Sequence, residues 1–385
     1  MDGNASTTYL PTEQFFFPEN FTYGNVTDTK YFPYPGEFRH LSDGEKAGKI
    51  IAYLVIFIMA IVGNSLVIYT VAINKKMRTT TNFYLTNLAV ADILIAVCCM
   101  WVALIKDLTD PVWIFGDFMC RFNTFMQGIS ITSSVVMLTV IAIDRFYAII
   151  FPLKARITET NTAAVISTVW LISCAVNVPL LVVSEQKQWQ WDDGVLEIWC
   201  AEKWDQHQKA IYTSVLFVVL YAIPLVVMMV AYFLLARKLW RTTSPGIAAL
   251  SIQQLQLKAK KKVIKMLVVV MTVFFVCWTP YHVLQIWLQF GTLPKESPPY
   301  FKQLRFVVLL LGYSNSAMNP IIYAGVNENF RKSFWDAYKC KHCRRNQVQP
   351  DGPAVWLEHP HENIETHSTQ APQELRIQTQ KTARA

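Results

Sequence analysis

Residues 83–104 read FYLTNLAVADILIAVCCMWVAL, and the single charged side chain among them is Asp92. A helix of this length rises about 33 Å at 1.5 Å per residue, which covers the roughly 30 Å of hydrocarbon in a bilayer. The run is therefore a membrane span. It carries a carboxylate in mid-span that costs at least about 2.5–3.5 kcal/mol to insert when charged. Such a group is expected to have partners and a function; the polar side chains that can reach it are Asn64, Ser134, Asn315, Ser316 and Asn319.

Six further runs of this kind lie at 50–73, 119–151, 163–183, 211–235, 263–290 and 304–326. Those at 119–151 and 263–290 exceed the bilayer and are expected to tilt or to project from it. With 53% hydrophobic and 16% charged residues, the chain gathers its apolar side chains in blocks, where a soluble protein spreads them over amphipathic faces. The expected fold is an all-α integral membrane protein, a seven-transmembrane helix bundle with a short amphipathic eighth helix. Four segments follow: an extracellular glycosylated tail at 1–49, the seven-helix domain at 50–326, an amphipathic helix and palmitoylation region at 327–345, and a disordered cytoplasmic tail at 346–385.

Basic residues gather on one side. Lys75, Lys76 and Arg78 follow the first run, Arg145, Lys154 and Arg156 the third, Arg237, Lys238 and Arg241 the fifth, and Arg331 and Lys332 the seventh. The opposite side carries Asp107, Asp110, Asp117, Glu185, Asp192, Asp193, Glu197, Glu202 and Asp205. The basic side belongs in the cytosol, which puts the N-terminus outside a multi-pass plasma-membrane protein. The first run is expected to act as an uncleaved signal anchor. The net charge of +8 is the sum of this loop bias, and no basic soluble domain offers itself to nucleic acid.

Asn4, Asn20 and Asn25 each open an Asn-x-Ser/Thr triplet in the outer tail and are expected glycosylation sites. Cys98, Cys99, Cys174 and Cys277 lie within spans. Cys120 and Cys200 face the oxidising side and are expected to form a disulfide. Cys340 and Cys343, beside cytosolic basic residues, suit palmitoylation or remain free thiols. Nothing in the chain reads as a nucleotide loop, a metal-spaced His/Cys cluster or a catalytic triad, so it is not expected to be an enzyme. A transporter is the competing class. Transporters tend to show repeated halves with paired acids at mid-membrane, against one mid-span acid and no visible repeat here.

Along the spans stand, in order, Gly63-Asn64, Leu88-Ala89-Val90-Ala91-Asp92, Asp144-Arg145-Phe146, Trp170, Pro224 with Tyr232, Phe274 with Cys277-Trp278-Thr279-Pro280, and Asn319-Pro320-Ile321-Ile322-Tyr323. By these residues the chain resembles rhodopsin-like G-protein-coupled receptors over nearly all of 50–338. The resemblance implies that Asp92, Ser134, Asn315 and Asn319 form an allosteric sodium site, with no other cofactor. It implies that Asp144 restrains Arg145 in the resting state, helped by Tyr232 and Tyr323. Pro224, Val135, Phe274 and Trp278 match the core that repacks under agonist. Pro152, between Phe151 and Leu153, matches a contact to the heterotrimeric G protein. Arrestin and a receptor kinase are the expected partners of the tail, at Thr366, Ser368, Thr369, Thr379 and Thr382, and membrane lipid that of 327–335. Two departures stand out. Phe146 replaces the usual tyrosine, and Lys260 and Lys261 stand where some members have an acid. No salt bridge from the third span to the sixth is then expected, and the barrier to basal activity falls.

Gln127 occupies the position of the aspartate in amine receptors, and Tyr313 that of the retinal-binding lysine in opsins, so both ligand classes are excluded. The segment 184–208 combines acids with Trp189, Trp191, Trp199 and Trp204, which suits a cationic peptide. The expected ligand contacts are Gln127, Trp278, Tyr281, His282, Gln285, Gln289 and Tyr313, with Glu197, Glu202 and Asp205 above them. Gln127, the run from Ile198 to Trp204, Lys260-Lys261-Lys262 and Gly312-Tyr313-Ser314-Asn315-Ser316 are similar to RFamide-type receptors and their orexin-like relatives. That likeness implies a C-terminally amidated neuropeptide; a non-amidated peptide or a lipid remains the alternative. Some relatives place an acid near the outer end of the sixth span for the ligand arginine, where this chain has Gln289. Glu202 and Asp205, then Glu197, are the expected replacements.

Overall fold

The computed structural model describes residues 41–110, 112–151, 161–241, 250–290 and 300–339. Seven long apolar helices carry the chain back and forth: α1 Asp43–Ile73, α2 Thr80–Thr109, α3 Gly116–Ile150, α4 Thr162–Val183, α5 His207–Arg241, α6 Leu250–Phe290 and α7 Phe301–Val326. A short α8, Glu328–Tyr338, follows with Asn327 as its N-cap. All seven runs read from the sequence are helices. Most are longer than their runs, because polar turns continue a helix past the point where its apolar residues stop. At the start of α1, for example, Ser42 and Glu45 form a capping box: the Ser42 hydroxyl accepts from the Glu45 N–H at 3.2 Å, and the Glu45 carboxylate accepts from the Ser42 N–H at 3.1 Å.

Two helices contain a wider π turn, at Ala96–Met100 in α2 and Val218–Ala222 in α5. The second lies just before Pro224, which supplies no N–H to the preceding turn and so loosens it. The turn in α2 has no proline near it, and nothing in the sequence announces it.

Between α4 and α5 the chain forms an antiparallel hairpin, β1 Ser184–Gln190 with β2 Leu196–Glu202. The reversal passes through Asp193 and Gly194, and Gly194 has a φ of 84° that a side chain would resist. The Cys120–Cys200 disulfide ties β2 to the outer start of α3. The Trp113 N–H, in the link from α2 to α3, donates to the Ile198 carbonyl at 2.7 Å. The hairpin is thus held from two sides over the end of the bundle.

The interior runs along the bundle through Tyr53, Leu88, Met137, Ile141, Met228, Leu235, Phe274 and Tyr323, all buried. Outside, apolar side chains are as common as within. Ile51, Leu54, Ile58 and Val62 line an exposed stripe on α1, and Val219, Val226 and Phe233 another on α5. On a soluble protein such stripes would mark docking faces; on helices of this length they face lipid. Helix approach depends on small residues. A Cβ added at Gly63 would lie 2.7 Å from the Pro320 ring, so only glycine lets α1 meet α7 there.

Candidate functional site

At the outer end, Trp278 and Tyr281 of α6 meet edge to face at 5.7 Å between centroids. Gly312 of α7 gives the Trp278 ring its room: an added Cβ would lie 3.2 Å from it. Tyr313, the next residue, is buried against Tyr53 of α1 at 6.1 Å. Gln285, one turn above Tyr281, lies within reach of its hydroxyl. Trp278, Tyr281, Gln285 and Tyr313 are thereby brought together. Gln127 and Gln289 are half-buried. His282 is placed differently. It is flanked by Tyr221 at 4.2 Å and Phe217 at 5.8 Å, and Tyr221 bonds to Thr279. His282 therefore joins α5 to α6 more than it faces the space above Trp278.

The three acids singled out from the sequence separate. Strand alternation sends Glu197 and Glu202, five positions apart, to opposite faces of β2. Glu202 lies 3.4 Å from Lys209 and within electrostatic reach of Tyr212 and Tyr281. Trp204 stacks on Tyr212 beside it at 5.1 Å. Glu197 is buried and accepts from the Trp191 indole N–H at 3.1 Å. Burial pushes its carboxyl above the ordinary range and nearby Asp110 adds to this, while Trp191 and Lys302 oppose it. Asp205 is exposed and caps the helical turn that opens at Gln206 and runs into α5, without a side-chain capping bond.

The sequence reading missed a second set of charges on the α2 and α7 side. Lys302 pairs with Asp110 at 2.5 Å and Arg305 with Asp107 at 3.9 Å. The acids are visible in the sequence. Their partners are not, because the pairs join helices remote in the chain.

In mid-membrane, Asp92 is 1% exposed and its carboxylate accepts from the Asn319 amide at 2.8 Å. A small cavity beside it is bounded by Ser130, Ser134, Asn315 and Ser316, with Phe274 and Trp278 above. The Asn64 amide instead donates to the Ala60 and Ser316 carbonyls, each at 2.9 Å. The amide oxygens of Asn64, Asn315 and Asn319 are all buried without a donor. A carboxylate surrounded by unmet acceptor oxygens has the donor set of a hard cation.

At the inner end, Arg145 holds Asp144 through two contacts to one oxygen, at 2.9 and 2.5 Å. Tyr232 and Tyr323 are buried; the Tyr323 ring packs on Phe330 of α8 at 5.6 Å, and its hydroxyl meets no partner. Lys260 and Lys261 make no contact to α3 among the described ion pairs. Lys262, one residue on, pairs with Glu328 at the start of α8. Pro152, the three glycosylation sites Asn4, Asn20 and Asn25, and both Cys340 and Cys343 lie outside the described residues.

The profile of the 7 transmembrane receptor (rhodopsin family) matches residues 63–323. The chain belongs to this family. It is 36% identical to a "QRFP-like peptide receptor" of Branchiostoma floridae, over 91% of this chain and 92% of that one. It is 33% identical to "Neuropeptide FF receptor 2" of Rattus norvegicus over 75% and 72% of the two chains. It is also 33% identical to the "RYamide receptor" of Drosophila melanogaster over 80% and 70%. The chain is accordingly a G-protein-coupled receptor, a multi-pass protein of the plasma membrane, and the family to which it belongs is one of receptors.

Proposed function

We propose that this receptor is activated by a C-terminally amidated neuropeptide of the RFamide type. The observation that carries the reading is the charge pattern of the outer end. Trp278, Tyr281, Gln285 and Tyr313 make an uncharged, aromatic floor, and acids stand around it, several of them paired with Lys209, Lys302 and Arg305. A peptide with a free C-terminal carboxylate would find no counterion on that floor, whereas a neutral amide finds aromatic walls and side-chain amides. The relatives named above, described as peptide, neuropeptide and RYamide receptors, support the same ligand class.

In this reading the amidated end enters toward Gln127 and Trp278, and Tyr281, Gln285, Gln289 and Tyr313 surround it. His282 acts on the ligand through the aromatic group it joins. An agonist shifts the equilibrium only by its differential affinity for the two packings of the bundle. Repacking of Phe274 against Pro224 and Trp278 moves the inner half of α6 outward and frees Arg145 from Asp144 for the G protein, with Pro152 beside it. Asp92, Ser134, Asn315 and Asn319 would hold a sodium ion, which supplies a positive charge to Asp92 in the resting packing. Arrestin and a receptor kinase act on the tail, and lipid supports α8, where Trp335 is exposed and Cys340 and Cys343 carry palmitate.

The test is calcium and cAMP signalling in cells expressing the receptor, challenged with amidated neuropeptides. A response to an Arg-Phe-amide peptide that is lost on Gln127→Ala supports the reading. Silence to all amidated peptides, despite expression at the surface, overturns it.

A further inference from the structure

The arginine of an Arg-Phe-amide peptide needs a carboxylate, and three of the outer acids already have partners, while Asp205 is exposed at the rim. Glu202 has Lys209, Glu197 has Trp191, and Asp117 has Arg121 and the Gln186 N–H. Asp107, at the outer end of α2, differs from them. Its side chain is 10% exposed. Its Oδ2 is buried with no hydrogen-bond partner, and no other carboxylate among the described residues has an oxygen in that condition. The Arg305 guanidinium stands 3.9 Å from the other oxygen, too far for a hydrogen bond.

The surroundings suit a guanidinium. Tyr53, whose own hydroxyl is buried without a partner, lies within electrostatic reach of Asp107. Its ring packs against both Phe306, at 5.9 Å, and Tyr313 of the proposed floor, at 6.1 Å. The Phe306 ring already takes a cation, since the Lys49 ammonium lies 4.8 Å from its centroid. Aromatic faces beside a carboxylate are where a planar guanidinium gains both stacking and paired hydrogen bonds.

We propose that Asp107 is the carboxylate that receives the arginine guanidinium of the peptide, with Tyr53 and Tyr313 as the wall joining that subsite to the floor. Arg305 and Lys49 are resident cations that the ligand partly replaces. Neither makes the two parallel hydrogen bonds open to an arginine fork. The proposal rests on the amidated-peptide reading and adds the residue that selects for arginine.

The experiment is a cycle on the full-length receptor in cells, with surface expression measured for every variant. An active Arg-Phe-amide peptide and its arginine-to-citrulline analogue, uncharged and of the same shape, are titrated on wild type and on Asp107→Asn. The expected result is a loss of potency on the order of a hundredfold for the arginine peptide on the variant, with a shift of less than about threefold for the citrulline peptide. An equal shift for both peptides means that Asp107 only supports the fold and overturns the proposal, as does an unchanged response to the arginine peptide. If Asp107→Asn fails to reach the surface, Asp107→Ser repeats the cycle with a smaller side chain. Wild-type silence to every Arg-Phe-amide peptide overturns the ligand class and the subsite together, whereas a responsive wild type with an additive cycle overturns the subsite alone.

Discussion

At the outer end of the bundle a disulfide from Cys120 to Cys200, a two-stranded hairpin and the ion pairs Lys302–Asp110 and Arg305–Asp107 fix where the rim sits. At the inner end the described contacts are of another kind. Arg145 is held by its own neighbour Asp144, and α6 reaches α8 through Lys262 and Glu328, both largely exposed. The outer end is joined covalently and by ion pairs; at the inner end no covalent tie stands among the described residues, and the Lys262–Glu328 pair is exposed to exchange with water or a protein partner. A receptor needs this asymmetry: a rim shaped before ligand arrives, and an inner face whose resting contacts yield to small differences in free energy.

The largest loss is expected at the disulfide. Removing a native disulfide typically costs about 2–5 kcal/mol. Cys120→Ser is expected to lower peptide binding on intact cells on the order of a hundredfold, while the pool that reaches the surface keeps its basal signalling. Unchanged binding would mean that the hairpin holds itself in place.

The link between the two ends runs past Asp92. With sodium chloride replaced by choline chloride, agonist affinity on wild-type membranes is expected to rise by roughly fivefold or more, the usual scale of coupling between sites. Asp92→Asn is expected to abolish that dependence. A sodium effect of equal size in the variant would place the ion elsewhere.

A smaller effect is expected at the inner end. Lys262 holds the Glu328 carboxyl below its usual range, so the pair persists across physiological pH and weakens only as pH falls into the acid range. Glu328→Gln is expected to raise agonist-independent signalling by no more than about threefold, because exposed pairs contribute little. A large rise would show that this pair carries the restraint that Lys260 and Lys261 cannot supply.

The smallest effect is expected at Glu197. Its raised pKa means that the folded hairpin favours the neutral acid, so its charge costs stability at neutral pH and the cost fades as pH falls. Glu197→Gln, neutral throughout, should match or exceed wild type in thermal stability at neutral pH, with the difference shrinking in acid. A variant less stable at neutral pH would show that the charged Glu197–Trp191 bond outweighs burial.

Much of the fold was legible because a bilayer imposes a length. Runs such as 83–104 must be helices, since a spanning segment has to satisfy its own backbone. Cys120 and Cys200 were legible from compartment alone, and the structure joins them with Cα atoms 5.5 Å apart. The hairpin was missed, although Asp193-Gly194 is a turn signal, because the tryptophans and acids around it read as a loop. The π turn at Ala96–Met100 was missed for want of any local signal. Glu202 stood ahead of Glu197 as the expected partner of the ligand arginine, and strand alternation set the two on opposite faces.

The sequence by itself determined seven spans, their orientation, the disulfide and the residues of the family pattern, because those follow from hydropathy, charge and order along the chain. Only the tertiary structure decided which outer acids are occupied, that His282 belongs to the α5–α6 contact, that Lys262 reaches Glu328, and that Asp107 keeps a buried oxygen unmet. Partners from different helices are set by packing across the bundle, and no property of either residue's neighbours in the chain carries that information.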